Sequence, residues 1–226
     1  MLALHGWGRN HRDLLACIAG TDAIAVDLPG FGSSPAPAAA GGATSYADAV
    51  EPLLAQCAPR VVVMGHSFGG RVCVELAVRH PDTVAGLVLC GVPLLRRSDR
   101  PAARPALRYR LARALHRRGL LGDGTMERMR QQFGSADYRT ATGVMRDVLT
   151  AVVNETYELQ LRQVSQPTEL VWGRLDETVP VEIAERAAQI LADARLTVLD
   201  DVGHFVPTEA PDALASALRR RLDELA

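Results

Sequence analysis

Residues 61–72 read VVVMGHSFGGRV. Four apolar residues run without a polar interruption into Gly65-His66-Ser67-Phe68-Gly69-Gly70, and an apolar helical pattern (Val72, Leu76, Ala77) follows. A buried strand that ends in a glycine-bracketed serine and restarts as a helix leaves few folds open. The turn must be sharp, and the glycines permit the close approach of strand and helix. The hydroxyl is then lifted above the carboxyl edge of the sheet, where α/β proteins bind ligands. Ser67 is therefore read as a nucleophile rather than as a turn residue.

The rest of the chain has a matching rhythm. Met1–Leu4, Ala23–Val26, Arg60–Met64, Val84–Leu89, Thr168–Trp172 and Arg195–Leu199 are short apolar runs without polar alternation, as expected of parallel strands covered on both faces. Helical patterns over Ser45–Gln56 (Ser45 as N-cap), Gly69–Arg79, Val181–Ala192 and Pro211–Leu225 follow several of them. Strand-helix alternation predicts a doubly wound, mostly parallel α/β sheet with helices on both faces. At 226 residues with 48% hydrophobic content, the chain suffices for one such domain.

Residues 93–165 break the rhythm. They offer no strand candidate and hold 14 Arg against 7 acidic residues, a net of +7, whereas the remainder holds 11 against 19, a net of −8. The expected division is a core of residues 1–92 and 166–226 with a helical cap of residues 93–165. In the cap, Ala103–Arg118 places Leu107, Leu111 and Leu115 on one helical face, with Arg104, Arg108, Arg110, Arg113 and Arg117 largely elsewhere. Such a helix suits an amphipathic lid on an acidic core. It also suits an anionic or carrier-linked acyl substrate, or a membrane surface.

A nucleophilic serine needs a base, and the base needs an orienting carboxylate. His204 lies in Asp-Val-Gly-His-Phe after the strand ending at Leu199, and Asp176 lies in Trp-Gly-Arg-Leu-Asp-Glu after the strand ending at Trp172. Both are expected at carboxyl strand ends, level with Ser67, in the chain order Ser67, Asp176, His204. Glu177, Asp200 and Asp201 are rival carboxylates. His66 is read as packing, His80 as a helix-end residue, and His11 and His116 as exposed. The backbone N–H groups of Phe68 and of Trp7, in His5-Gly6-Trp7-Gly8, are the expected oxyanion donors. His5 is expected to be a buttress.

The set His5–Gly8, Asp27-Leu28-Pro29-Gly30-Phe31-Gly32, Gly65–Gly69, Gly173–Asp176 with Pro180, and Gly203-His204 resembles the α/β-hydrolase superfamily across the whole core. The first two motifs resemble the carboxylesterases that include the pimeloyl-carrier-protein methyl esterase of biotin synthesis. The resemblance implies the α/β-hydrolase fold and a serine hydrolase acting on a carboxylic ester or thioester through an acyl-enzyme, with no metal and no cofactor. It makes Asp27–Gly32 a structural loop. Carbon–carbon bond hydrolysis, lactone or cyclase chemistry, and non-catalytic ligand binding use the same fold. Family members have two further strands before the His-Gly strand, whereas Met1 opens on it. Either the gene start is set too late, or the sheet has six parallel strands with Ile24–Asp27 as an unprotected edge, where a homodimer could form.

No apolar run approaches the roughly 20 residues of a membrane span, and no leader pattern precedes Leu2. Cys17, Cys57, Cys73 and Cys90 lack metal spacing, and Cys73 and Cys90 sit in apolar stretches as buried thiols. These features predict a cytoplasmic protein whose partner is a small acyl substrate rather than nucleic acid.

Overall fold

A computed structural model describes residues 1–57, 59–97, 107–133 and 136–225. Six parallel strands form one sheet in the order β2-β1-β3-β4-β5-β6. They are β1 Leu2–Leu4, β2 Ile24–Val26, β3 Val61–His66, β4 Val84–Cys90, β5 Thr168–Gly173 and β6 Ala194–Leu199. Each expected strand is present. The order reverses at β1 and β3: β1 leads outward to β2, and β3 returns to the other side of β1. Loops leaving the carboxyl ends of β1 and β3 part at such a reversal and open a crevice.

The helices are α1 Ala43–Val50, α2 Phe68–Arg79, α3 Leu107–Arg117, α4 Asp123–Phe133, α5 Ala136–Thr140, α6 Gly143–Val152, α7 Glu158–Gln163, α8 Val181–Ile190, α9 Val206–Glu209 and α10 Pro211–Asp223. Successive strand residues face opposite sides, which explains the unbroken apolar runs. In β3, Val61 and Val63 lie in the core on the sheet face that α1, α2 and α8 cover. Val62 and Met64 pack on the other face with Leu214, Ala217 and Leu218 of α10. Strand β2 is an edge whose residues are half-buried, and Asp27 lies beyond the strand with its carboxylate turned inward.

Two local expectations are corrected. Ser45 is not the N-cap of α1. The helix starts at Ala43 after Gly42, which makes no side-chain cap bond, and the Ala43 N–H instead donates to the Glu155 carboxylate at 3.1 Å. Residues Glu51–Gln56 tighten into a 3-10 helix with Pro52 in its first turn.

Between β4 and β5, the described residues contain helices α3 to α7 and no strand. The inward face of α3 is not the leucine stripe. Leu111 is 60% exposed, Leu115 is half-buried, and the buried residues are Tyr109 and Ala112, packed with Met126 of α4. The Tyr109 hydroxyl also lies 3.0 Å from that of Tyr138. Arg108, Arg110, Arg113 and Arg117 are exposed, whereas Arg104 and the Leu107 side chain lie outside the described residues. The segment is tied to the core through α2 and α6. Arg71 donates to the carbonyls of Pro93 and Val152, and Met145 packs against Gly30 and near the Tyr46 hydroxyl.

Candidate active site

Ser67 joins β3 to α2 with φ 48° and ψ −113°, the one non-glycine positive φ among the described residues. A side chain held there costs roughly 1–3 kcal/mol and persists only where its surroundings fix it. Those surroundings are visible. The Ser67 N–H donates to the Cys90 carbonyl at 2.9 Å, and Gly70 N–H donates to the Ser67 carbonyl at 3.1 Å. A Cβ on Gly65 would lie 2.5 Å from Gly70 Cα, and one on Gly69 would lie 2.4 Å from the Leu4 carbonyl oxygen. Both glycines are required because backbone, not a movable side chain, occupies that space.

Three side chains from three strand ends converge here. Ser67 Oγ lies 3.2 Å from Nε2 of His204, and Nδ1 of His204 lies 2.7 Å from Oδ2 of Asp176. Asp176 is buried. Its other oxygen accepts from the N–H groups of Thr178 (2.9 Å) and Val179 (2.7 Å), so one carboxylate oxygen is fixed by backbone and the other faces the imidazole. A carboxylate on Nδ1 favours the tautomer with its proton there, leaving Nε2 free to accept from the serine hydroxyl. The rivals are elsewhere: Glu177, Asp200 and Asp201 are exposed, and Asp200 pairs with Arg174.

The loop after β1 borders the same crevice. Arg9 N–H donates to the Gly6 carbonyl at 3.2 Å, closing a turn with Gly8 at φ 68°. Neither Trp7 N–H nor Phe68 N–H donates to another group among the described residues. Phe68 opens the twelve-residue helix α2, whose amino end carries partial positive charge. The Trp7, Phe31, Phe68 and Tyr46 rings stack edge to face and seal the side of the crevice towards α1. His5 is fully buried; its Nε2 accepts from Leu28 N–H at 2.9 Å and its Nδ1 faces the Gly6 carbonyl at 2.7 Å. It therefore braces the loop between Gly6 and Leu28, and burial lowers its pKa.

The expected exposure of His11 and His116 is corrected. His11 is partly buried and its Nδ1 lies 2.7 Å from Asp27, and His116 contacts the Leu121 carbonyl at 2.9 Å. Asp27 closes its own loop by accepting from His11 N–H, Ser33 N–H and the Ser33 hydroxyl. Burial alone would raise its carboxyl pKa, but these bonds hold it well below the usual range.

Two contacts around His204 had no signature in the sequence. The Glu209 carboxylate accepts from the N–H groups of Gly203 (2.6 Å) and Phe205 (3.0 Å), on either side of His204. Nε2 of His66 lies 2.9 Å from the His204 carbonyl oxygen. The described residues contain no cluster of three His, Cys, Asp or Glu side chains suited to a metal, and no helix long and apolar enough to cross a membrane.

A family model described as the alpha/beta hydrolase family matches residues 1–217. A pimeloyl-[acyl-carrier protein] methyl ester esterase of Aromatoleum aromaticum is 33% identical, with 90% of each chain covered. Protein ABHD8 of Bos taurus is 29% identical over 90% of this chain, which spans 50% of ABHD8. A thermophilic esterase from Thermogutta terrifontis superposes with a TM-score of 0.70 at 25% identity, covering 99% of this chain and 89% of that one.

Proposed function

The chain belongs to the alpha/beta hydrolase family, and from that premise we propose that it hydrolyses a carboxylic ester or thioester through an acyl-enzyme formed on Ser67. The observation that carries this reading is the continuous contact Ser67 Oγ–His204 Nε2–His204 Nδ1–Asp176 Oδ2, at 3.2 and 2.7 Å across its two hydrogen bonds.

In this reading Ser67 Oγ attacks the acyl carbon as its proton passes to Nε2 of His204. Asp176 holds the ring and stabilises the imidazolium. The charge that develops on the carbonyl oxygen is received by the Phe68 and Trp7 N–H groups, which have no other partner among the described residues. His204 then returns its proton to the leaving alkoxide or thiolate. Water enters by the same route: it loses a proton to His204, attacks the acyl carbon, and releases the carboxylic acid and free Ser67.

Residues 93–165 are assigned the role of a cap that selects the substrate. Supporting this, Met145 of α6 lies against the aromatic wall beside Phe68, and the exposed arginines of α3 offer positive charge to an anionic or carrier-linked acyl group. The Aromatoleum relative is named for an acyl-carrier-protein ester, a substrate of this kind.

The test is labelling with a fluorophosphonate probe together with turnover of a p-nitrophenyl ester. One adduct at Ser67, and loss of turnover in Ser67→Ala, are expected. An adduct elsewhere, or activity surviving in Ser67→Ala, would overturn the proposal. Labelling at Ser67 without turnover of esters or thioesters would indicate carbon–carbon bond or ligand-binding chemistry instead.

A further inference from the structure

His66 stands where three parts of the site meet. It ends β3, immediately before Ser67, and is 3% exposed. Its Nε2 faces the backbone carbonyl of His204 at 2.9 Å. Its Nδ1 edge abuts Gly6 so closely that a Cβ there would lie 2.7 Å from Nδ1 and 3.1 Å from Cε1. Its ring centre lies 5.0 Å from that of His204 and 6.1 Å from that of Phe205. One side chain thus touches the loop after β1, the loop after β6 and the turn that carries Ser67.

We propose that His66 is a positioning residue: its Nε2–H fixes the His204 carbonyl while its ring sets the distance to the Gly6–Trp7 loop, so that base and oxyanion donors are held in register. The inference rests on the reading of Ser67, His204 and Trp7 given above, and adds a residue that touches none of the reacting atoms.

Three physical points support it. A carbonyl only accepts, so Nε2 of His66 carries the hydrogen and Nδ1 is bare on the side facing Gly6. No other described group donates to the His204 carbonyl, so losing His66 would leave that half-buried oxygen without its protein partner. Fixing this carbonyl fixes the 204–205 peptide plane and hence the direction in which the His204 side chain leaves the backbone. The ring also suits its neighbour. Burial first, and then the positive charge available to His204, bring the His66 pKa down to about 4. At neutral pH it donates a hydrogen bond without opposing the imidazolium that forms on His204. An aliphatic residue would fill the space and lose the bond; a permanent cation would keep a donor and repel the reaction's own charge.

The experiment compares His66→Gln, His66→Asn and His66→Met, with kcat expressed per site titrated by the fluorophosphonate so that misfolded protein does not count. The Gln amide reaches towards the place of Nε2; the Asn amide is too short, and Met fills the volume without a donor. His66→Gln should retain most of kcat. His66→Asn and His66→Met should lose about tenfold or more with KM little changed, in line with the cost of misplacing a catalytic group by a fraction of an ångström. If Met fails to fold, the Asn–Gln pair decides. Wild-type kcat in Met or Asn, or a loss in Gln as large as theirs, would overturn the inference. Activity surviving in Ser67→Ala would instead overturn the underlying reading, and the two failures are distinct.

Discussion

Acidification from pH 7 to pH 4 should destabilise the fold through a proton that the native structure refuses and the unfolded chain accepts. His66 is the group with the largest stake in that window. Its ordinary value is 6.5, and burial followed by the charge of His204 lowers it to about 4. The groups that face it are His204, Asp176 and Asp13, and the two carboxylates offset only part of that lowering. Between pH 6.5 and 4 the unfolded chain binds a proton at this position and the native chain does not, so stability falls as pH falls. The contribution is fully present above 6.5 and gone below 4. At about 1.4 kcal/mol per pH unit, the gap corresponds to roughly 3 kcal/mol, a substantial part of the 5–15 kcal/mol typical of a native domain. The assay is denaturant unfolding of wild type and His66→Gln at several pH values from 7 to 4. Glutamine takes up no proton, so the difference in unfolding free energy should change by about 3 kcal/mol across the window, in the sense that wild type loses more. His5, lowered in the same direction by burial, and Asp27, held low by its hydrogen bonds, act in both proteins and cancel. A difference that stays constant with pH would refute the argument, because His66 would then be as free to protonate in the native state as in the unfolded one.

Loss of the base should be as damaging as loss of the nucleophile: His204→Ala is expected to lower kcat on a p-nitrophenyl ester about as far as Ser67→Ala, since such residues act as a unit. Near-normal turnover in His204→Ala would refute its assignment. Neutralising Arg108, Arg110 and Arg113 together should lower kcat/KM for an anionic ester, with the loss shrinking at high salt, while a small neutral ester is hardly affected. Equal loss on both esters would point to damaged packing of α3 on α4.

What the sequence made legible, and what it hid, divides along a physical line. The six strands were readable because a strand covered on both faces lacks a regular alternation of polar residues. Ser67, Asp176 and His204 were readable as candidates because each is a reactive side chain placed just past a strand's carboxyl end, and a parallel sheet brings such ends to one edge. The contacts that escaped notice mostly pair a side chain with a backbone atom far along the chain. His66 meets the carbonyl of a residue 138 positions away, and Arg71 meets that of Val152 at 81 positions. The Glu155 carboxylate receives the Ala43 N–H across 112 positions. A carbonyl or N–H is the same at nearly every residue, so the backbone partner leaves no trace in composition or spacing. The error on α3 has a different origin. Its sequence carries two apolar stripes, Leu111–Leu115 and Tyr109–Ala112, and a helical period cannot choose between them. The choice is made by the partner, Met126, together with the bond from Tyr109 to Tyr138.

Arg71 shows how such backbone contacts can separate the demands of the chemistry from those of the substrate. It lies one turn beyond Ser67 on α2, buried, with the Tyr157 ring 5.5 Å from its guanidinium. It forms no ion pair among the described residues; its hydrogen bonds go to the carbonyls of Pro93, at the start of the helical insertion, and of Val152, at the end of α6. Burying an unpaired cation is costly unless its N–H groups are met, and here backbone dipoles meet them. The consequence is directional. Removing Arg71 would leave the half-buried Pro93 carbonyl without a donor among the described residues, whereas the Val152 carbonyl keeps the Glu155 N–H at 3.2 Å, so α2 is committed to the guanidinium chiefly through Pro93. In its hydrogen bonds with Arg71 the insertion contributes main-chain oxygen, which survives almost any change of side chain, while the Tyr157 ring is its side-chain contact there. If residues 93–165 select the substrate, side chains there other than those of Glu155, Tyr157 and Gln160 can change while the two carbonyls still meet the helix that follows Ser67.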